Sequence, residues 1–248
     1  MTESRVALVT GAGQGIGRAI ALRLARDGFG VAISDMPRAE DTATAVLKEI
    51  EALGRQATVV LADVTDAAQV SAMVAATVAD LGRLDVTVAN AGIAKIESIL
   101  DTTPDSWDQM FAINTRGVFL TWQAAARQYI RQGSGGKLIG AASQFAYRAA
   151  GALPAYSASK WAVRGLTQAA AQEFAPYGIT VNSYAPGVVN TPLWKDAPEA
   201  FQARVQTIPL GRAQEPSDVA DLVSFFASSA ADYMTGQTII MDGGMIFS

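Results

Sequence analysis

Tyr156 and Lys160 stand four residues apart at the start of a helical segment, so their side chains share one helix face a single turn apart. A free phenol titrates near pH 10 and is a poor base at neutrality. A neighbouring ammonium favours the phenolate and turns such a pair into a proton donor and acceptor. Taken alone the pair says little, because Tyr/Lys pairs at this spacing arise freely on surface helices. Ser143 adds weight: it directly follows a strand-like run at 137–142, at the carboxyl edge of a sheet where ligands bind. Its hydroxyl could hold a reacting oxygen within reach of the phenol. The chain has no Cys and no His. Thiolate nucleophiles, Ser-His-Asp triads and Cys- or His-bound metals are therefore excluded. Any acid and base must come from Tyr, Lys, Asp or Glu.

A second group of residues suits phosphate. Thr10-Gly11-Ala12-Gly13-Gln14-Gly15-Ile16-Gly17 follows one strand-like run and opens a helical one. Glycines there let the backbone turn tightly and approach a pyrophosphate, whose charge a helix N-terminus favours. A Gly-rich turn can also be no more than a tight strand-to-helix connection; the context argues for a dinucleotide. The next strand ends at Asp35, about 20 residues on, where an acidic side chain binds the adenosine ribose hydroxyls. A carboxylate repels a 2′-phosphate, which favours NAD over NADP, although Asp is also a common cap or turn residue. Arg38 blurs the choice, because guanidinium groups recognise phosphates.

The elements that must position these residues alternate. Strand-like runs fall at 5–10, 30–35, 57–62, 84–89, 137–142, 180–185 and 238–241, and helical patterns at 16–27, 40–53, 67–81, 107–132, 155–177 and 216–228. This predicts a doubly wound α/β fold of about seven parallel strands with helices on both faces. Half of the 248 residues are apolar and 17% are charged, which suits a sizeable core. No Pro/Gly/Ser-rich linker divides the chain, so 1–248 reads as one domain. The stretch 188–213 reads as one long irregular loop with three prolines, and loops of that length in compact domains are usually functional. A net charge of −4 gives no support to nucleic-acid or anionic-membrane binding. No apolar stretch reaches the ~20 residues of a membrane helix, and no signal peptide opens the chain, so a soluble cytoplasmic protein is expected.

Together these motifs resemble the short-chain dehydrogenase/reductase family, and the resemblance runs essentially the whole chain. Residues 10–17 match its cofactor motif, and Asn90-Ala91-Gly92 its Asn-Ala-Gly, although Ala89 stands where Asn is common. Asn114, Ser143, Tyr156 and Lys160 match its active-site residues, and Pro186-Gly187 its Pro-Gly after strand six. The resemblance implies a Rossmann-like fold and hydride transfer between a secondary alcohol or ketone and a nicotinamide. It implies cofactor contacts from Gly11, Gln14, Gly15, Ile16, Gly17, Asp35, Asp63, Val64, Asn90, Ala91, Gly92, Tyr156, Lys160, Pro186, Gly187, Val189 and Thr191. Tyr156 would be the acid/base, Lys160 would hold the nicotinamide ribose, Ser143 would orient the substrate oxygen, and Asn114 would support a proton-relay water. Without the rest of the set, Asn114 would read as a polar residue distorting its helix.

Within the family, residues 9–17, Ser143-Gln144, 162–168 and Asp242-Gly243-Gly244-Met245 are similar to bacterial acetoin (diacetyl) reductases and 2,3-butanediol dehydrogenases. Gln144 could bind a second substrate oxygen or merely a loop backbone; Trp194 could cap a small pocket or merely anchor its loop. The segment after Trp194 is shorter than in those reductases, which implies a more open pocket. Arg148 could attract an anionic substrate, or could be a solvated charge. Alternatives are a 3-oxoacyl-type biosynthetic reductase, which Asp35 disfavours, and a non-catalytic NAD(H)-binding sensor, which would need none of the four active-site residues. The resemblance also implies a homotetramer built on the helices at 107–132 and 155–177, with Phe119, Trp122, Trp161 and Phe174 contributing apolar surface.

Overall fold

β-Branched runs buried on both faces set the frame. Every residue of β1 (Val6–Thr10), β2 (Gly30–Ser34) and β4 (Val86–Ala89) is buried, the pattern of central parallel strands covered from both sides. The structure, a computed structural model, describes residues 4–195 and 197–247. Between those strands lie α1 (Gly15–Arg26), α2 (Glu40–Ala52), β3 (Ala57–Val59) and α3 (Ala67–Leu81). The chain continues through α4 (Pro104–Phe111), α5 (Gly117–Gln132), β5 (Gly136–Ala141), α6 (Pro154–Phe174) and β6 (Ile179–Pro186). It ends with α7 (Pro198–Val205), α8 (Pro216–Ala227) and β7 (Thr238–Met241).

The seven strands form one parallel sheet in the order β3-β2-β1-β4-β5-β6-β7. One apolar layer packs α1, α2 and α8 on the sheet through Ile20, Leu24, Val46, Ile50, Val223 and Phe226. The other packs α3, α5 and α6 through Val70, Met73, Trp122, Tyr129 and Val163. Strand order reverses between β1 and β4, and the crevice outside the carboxyl ends at such a point is where this architecture binds ligands. Among the described residues no helix is long and apolar enough to cross a membrane.

Three expectations change. The stretch 188–213 is not irregular throughout: a 3-10 turn spans Pro192–Trp194, and α7 follows with Pro198 at its first turn, a position proline tolerates because its missing N–H would be unpaired anyway. The helix expected over 107–132 starts earlier, where Thr103 caps Ser106 N–H and Pro104 opens α4, and it is interrupted by a π-helical turn at Ala112–Arg116. The strand expected over 57–62 ends at Val59, though Val60 N–H and Ala62 N–H still bond to the carbonyls of Ile33 and Asp35.

Candidate active site

The turn after β1 is shaped for close approach of a ligand to the backbone. Gly11 has φ +64°, a conformation strained for any side chain, and a Cβ there would lie 2.9 Å from Ala91 Cα. At Gly17 a Cβ would stand 2.1 Å from the Gly11 carbonyl oxygen. The turn is tied to β4: Thr10 Oγ1 accepts the N–H groups of Asn90 and Ala91 at 3.0 and 3.1 Å, and Asn90 Nδ2 donates to Thr10 O and Gly11 O at 2.9 and 3.1 Å. Asp66 and Thr103 cap α3 and α4 with their side chains, whereas Gln14 leaves α1 uncapped and its first turn carries no acidic residue. Free N–H groups and the positive end of a helix dipole are an anion site. This chemistry fits a dinucleotide's pyrophosphate.

The remaining expected cofactor residues gather at the same edge. Asp35 directly follows β2 and accepts Gly13 N–H at 2.9 Å and Met36 N–H at 2.8 Å. Ala62 N–H bonds to Asp35 O, which brings Asp63 and Val64 beside it; Asp63 Oδ1 accepts both donors of Thr65, and Val64 packs against Gly117. Pro186 closes β6, and Gly187 lies so near Asp242 that a Cβ would meet its Cα at 2.8 Å. Val189 bridges to Gln214, and Thr191 lies against Gly15, 3.7 Å from where its Cβ would stand. Arg38 is exposed on the turn after β2.

The residues capable of acid–base chemistry converge over β5. Ser143 is buried, its Oγ accepts Phe145 N–H at 3.2 Å, and it hydrogen-bonds Tyr156. The Phe145 ring meets the Tyr156 ring edge-on at 6.2 Å. One turn along α6, buried Lys160 donates to Ala141 O at 2.7 Å, with its Nζ 5.6 Å from the centre of the Tyr156 ring. Asn114 sits fully buried in the π turn. Its amide accepts Ile93 N–H at 2.8 Å and donates to Ile93 O and Ser159 Oγ at 2.9 and 3.2 Å. Asn114 thus stands in a distorted turn of its helix, with its side chain facing the cluster. Gly92 lies between them: a Cβ there would come within 3.1 Å of Asn114 Oδ1 and 3.6 Å of Lys160 Nζ.

Burial sets the electrostatics of both groups. Burial pushes the Tyr156 phenol above its ordinary value, and the hydrogen bond from Ser143 opposes that. Burial also pulls Lys160 down to about 8. In the protein alone desolvation outweighs the hydrogen bond from Ser143, so the phenol is neutral at physiological pH.

Gln144 follows Ser143 and is buried, with no partner for its Oε1. With Phe145, Arg148, Arg204, Pro209 and Met245 it lines a cavity of about 450 Å³. Trp194 meets Phe201 of α7 with its ring tilted by 48° at 5.6 Å, a contact that ties the two segments together. Of the residues expected to offer apolar surface on α5 and α6, Phe119 and Trp161 are exposed, but Trp122 is spent in the chain's own core and Phe174 packs against it.

A family model described as "Enoyl-(Acyl carrier protein) reductase" matches residues 11–246. An L-2,3-butanediol dehydrogenase of Corynebacterium glutamicum is 46% identical, with 99% of this chain and 100% of that protein covered. A diacetyl reductase ((S)-acetoin forming) of Staphylococcus epidermidis is 42% identical over 98% and 99%. The crystal structure of a short-chain type dehydrogenase/reductase from Mycobacterium marinum superposes with a TM-score of 0.93 at 38% identity, covering 97% of this chain and 95% of that one. The chain is a short-chain dehydrogenase/reductase. It is an alcohol/ketone oxidoreductase, of a family that uses nicotinamide cofactors.

Two site residues of this short-chain dehydrogenase escape a reading of the sequence. Ser159 bonds Tyr156 O at 2.7 Å and receives Asn114 Nδ2, fastening the Tyr156 turn of α6 to the π turn. Tyr184, in the middle of β6, donates to Asn90 Oδ1 at 2.9 Å. The available signal for Tyr184 is that a phenol inside a buried strand needs a polar partner.

Proposed function

We propose that this enzyme interconverts a small secondary alcohol and its ketone with NAD(H), and that the substrate carries a second oxygen beside the reacting carbon, as acetoin, diacetyl and 2,3-butanediol do. The observation that carries this reading is the hydrogen-bonded Ser143–Tyr156 pair above β5 with the unpartnered Gln144 carbonyl next to it. A buried acceptor without a partner costs about 1–3 kcal/mol; a hydroxyl beside the reacting carbon would donate to it, whereas the second carbonyl of diacetyl would instead accept from the Gln144 amide N–H. The names of the two relatives, a butanediol dehydrogenase and a diacetyl reductase, support the same substrate class.

Each residue then has a task. Ser143 Oγ donates to the substrate oxygen and fixes it beside the phenol. In reduction Tyr156 gives its proton to that oxygen; in oxidation it takes the hydroxyl proton. Lys160 Nζ, fixed by Ala141 O, adds positive charge near the phenol whenever it is protonated and lies at the edge where a ribose would bind. Asn114 holds the backbone at Ile93 open beside Lys160, the side from which a replacement proton would come. When bound, the nicotinamide supplies or accepts the hydride. NAD is preferred to NADP because Asp35 directs a carboxylate at the edge of the phosphate turn, with Arg38 exposed beyond it. The segment 188–213 would form one wall of the substrate pocket within a single domain. We also infer a homotetramer joined through the exposed Phe119 and Trp161 on α5 and α6, whose surface continues into an apolar groove with Phe111 and Leu166.

The test is NADH oxidation against diacetyl, acetoin, simple ketones and cyclic ketones, with wild type and Tyr156→Phe. Wild type should favour the vicinal dicarbonyl or hydroxyketone over matched simple ketones. The variant should lose at least about a thousandfold in turnover while still binding NADH. Turnover near normal in the variant would refute the role of Tyr156. No turnover of any carbonyl despite NADH binding would refute the enzyme reading of this site.

A further inference from the structure

Tyr184 is 1% exposed and lies in register with Ala141 of β5. Its side chain spans the width of β5 to reach Asn90 at the end of β4, and the small side chain of Ala141 is what β5 offers along that path. The Asn90 amide is fully committed: Oδ1 accepts the Tyr184 hydroxyl, and Nδ2 donates to the carbonyls of Thr10 and Gly11. An amide has one donating and one accepting end. A donor pinned against its oxygen therefore forces its NH₂ towards the phosphate turn. Gly11 O in turn is the atom that abuts Gly17, so the contact chain runs from β6 through Asn90 into the first turn of α1.

Tyr184 is suited to this and to nothing more reactive. Burial holds its phenol well above the ordinary range, and Tyr156 nearby opposes its ionisation further. It stays a neutral hydrogen-bond donor at every working pH, with its single proton already given to Asn90.

We propose that Tyr184 is a cofactor-positioning residue: its hydroxyl orients the Asn90 amide, and that amide holds the Thr10–Gly11 turn in the shape that receives the dinucleotide. This rests on the cofactor reading given above. It adds a residue outside the motif that binds the cofactor and outside the proton-transfer group.

The experiment is Tyr184→Phe, which keeps the ring and removes only the hydroxyl. NADH binding is read from nicotinamide fluorescence, alongside kcat, KM for cofactor and the pH profile of kcat. Loss of one partner of a buried hydrogen bond predicts a dissociation constant about tenfold higher. KM for cofactor should rise likewise, with kcat at saturating cofactor within about twofold and its pH profile unmoved. Because the two residues act as one unit, the double variant with Asn90→Ala should bind NADH no worse than Asn90→Ala alone. An unchanged dissociation constant in Tyr184→Phe, or additive losses in the double variant, would overturn the proposal. So would a fall in kcat with a shifted pH profile, which would put Tyr184 in proton transfer. If Tyr184→Phe does not fold, Asn90→Asp keeps the acceptor for Tyr184 and removes the donor to Gly11; it should weaken NADH binding to the same extent, and unimpaired binding there would be equally fatal. Wild type that fails to bind NADH would instead bring down the cofactor reading itself.

Discussion

Lys160→Met should make this protein inactive and more stable, by an amount that depends on pH in a calculable way. Lys160 is buried, and burial lowers it from 10.5 to about 8. The unfolded chain therefore binds a proton more tightly than the folded one. Lys160 costs stability fully below about pH 8, and that cost is relieved as the pH rises towards 10.5. At pH 7 the difference between the two states is about 2.5 pKa units, or roughly 3 kcal/mol. At pH 9.5 most folded molecules have lost the proton and the cost falls to about 1 kcal/mol. Against this stands the bond from Nζ to Ala141 O at 2.7 Å, whose loss costs about 1 kcal/mol. Methionine fills a similar volume without a charge.

The net expectation is a variant about 2 kcal/mol more stable than wild type at pH 7 and nearly equal to it at pH 9.5. A chain of 248 residues gains about 2 °C in Tm per kcal/mol, so the shift should be about 4 °C at pH 7. Cofactor-free thermal or urea unfolding of both proteins across pH 6.5–9.5, at one fixed protein concentration, measures it. A stability difference that does not change with pH would refute the buried-charge argument. So would a variant several kcal/mol less stable than wild type at pH 7, since that would mean the ammonium is a net structural asset.

Asp35→Ser should raise the NADPH:NADH ratio of kcat/KM by about ten- to a hundredfold, because a carboxylate near a 2′-phosphate opposes it by a few kcal/mol; steady-state kinetics with both cofactors check this, and an unchanged ratio would remove Asp35 from cofactor choice. Light scattering should give a mass of about four chains, with Phe119→Glu and Trp161→Glu together lowering it; a wild-type monomer would refute the assembly.

How much of this was legible in the sequence depended on whether a residue's partner lay nearby in the chain. The phosphate turn could be read because strand, glycines and helix are contiguous from Val6 to Arg26. Tyr156 and Lys160 share a helix turn, and Ser143 stands just past a strand end, so each was placed by local pattern. The π turn was legible only as a hint, in Asn114 as a polar residue that could distort its helix; nothing in the sequence over 107–132 marks the bounds of the turn. Helix α7 was hidden because Pro198 begins it and Phe201 is its one large apolar anchor, held by Trp194. Tyr184 reads as one more bulky residue in a buried strand, since its partner Asn90 is 94 positions away.

The same distance argument explains the electrostatics. Spacing puts a lysine beside a tyrosine, and in water that pairing would favour the phenolate; spacing says nothing about how far both groups are withdrawn from water. Here Lys160 reaches from α6 to the backbone carbonyl of Ala141 at the end of β5. That approach buries the ammonium and raises the phenol, which leaves the tyrosine neutral and the lysine still mostly charged at neutral pH. A neutral phenol bonded to Ser143 is already in the form that can give a proton to a ketone. The reverse reaction must first strip that proton, a step that the protonated Lys160 beside the phenol favours. Burial therefore keeps Tyr156 in its proton-donating form, with Lys160, lowered to about 8, as the charge beside it.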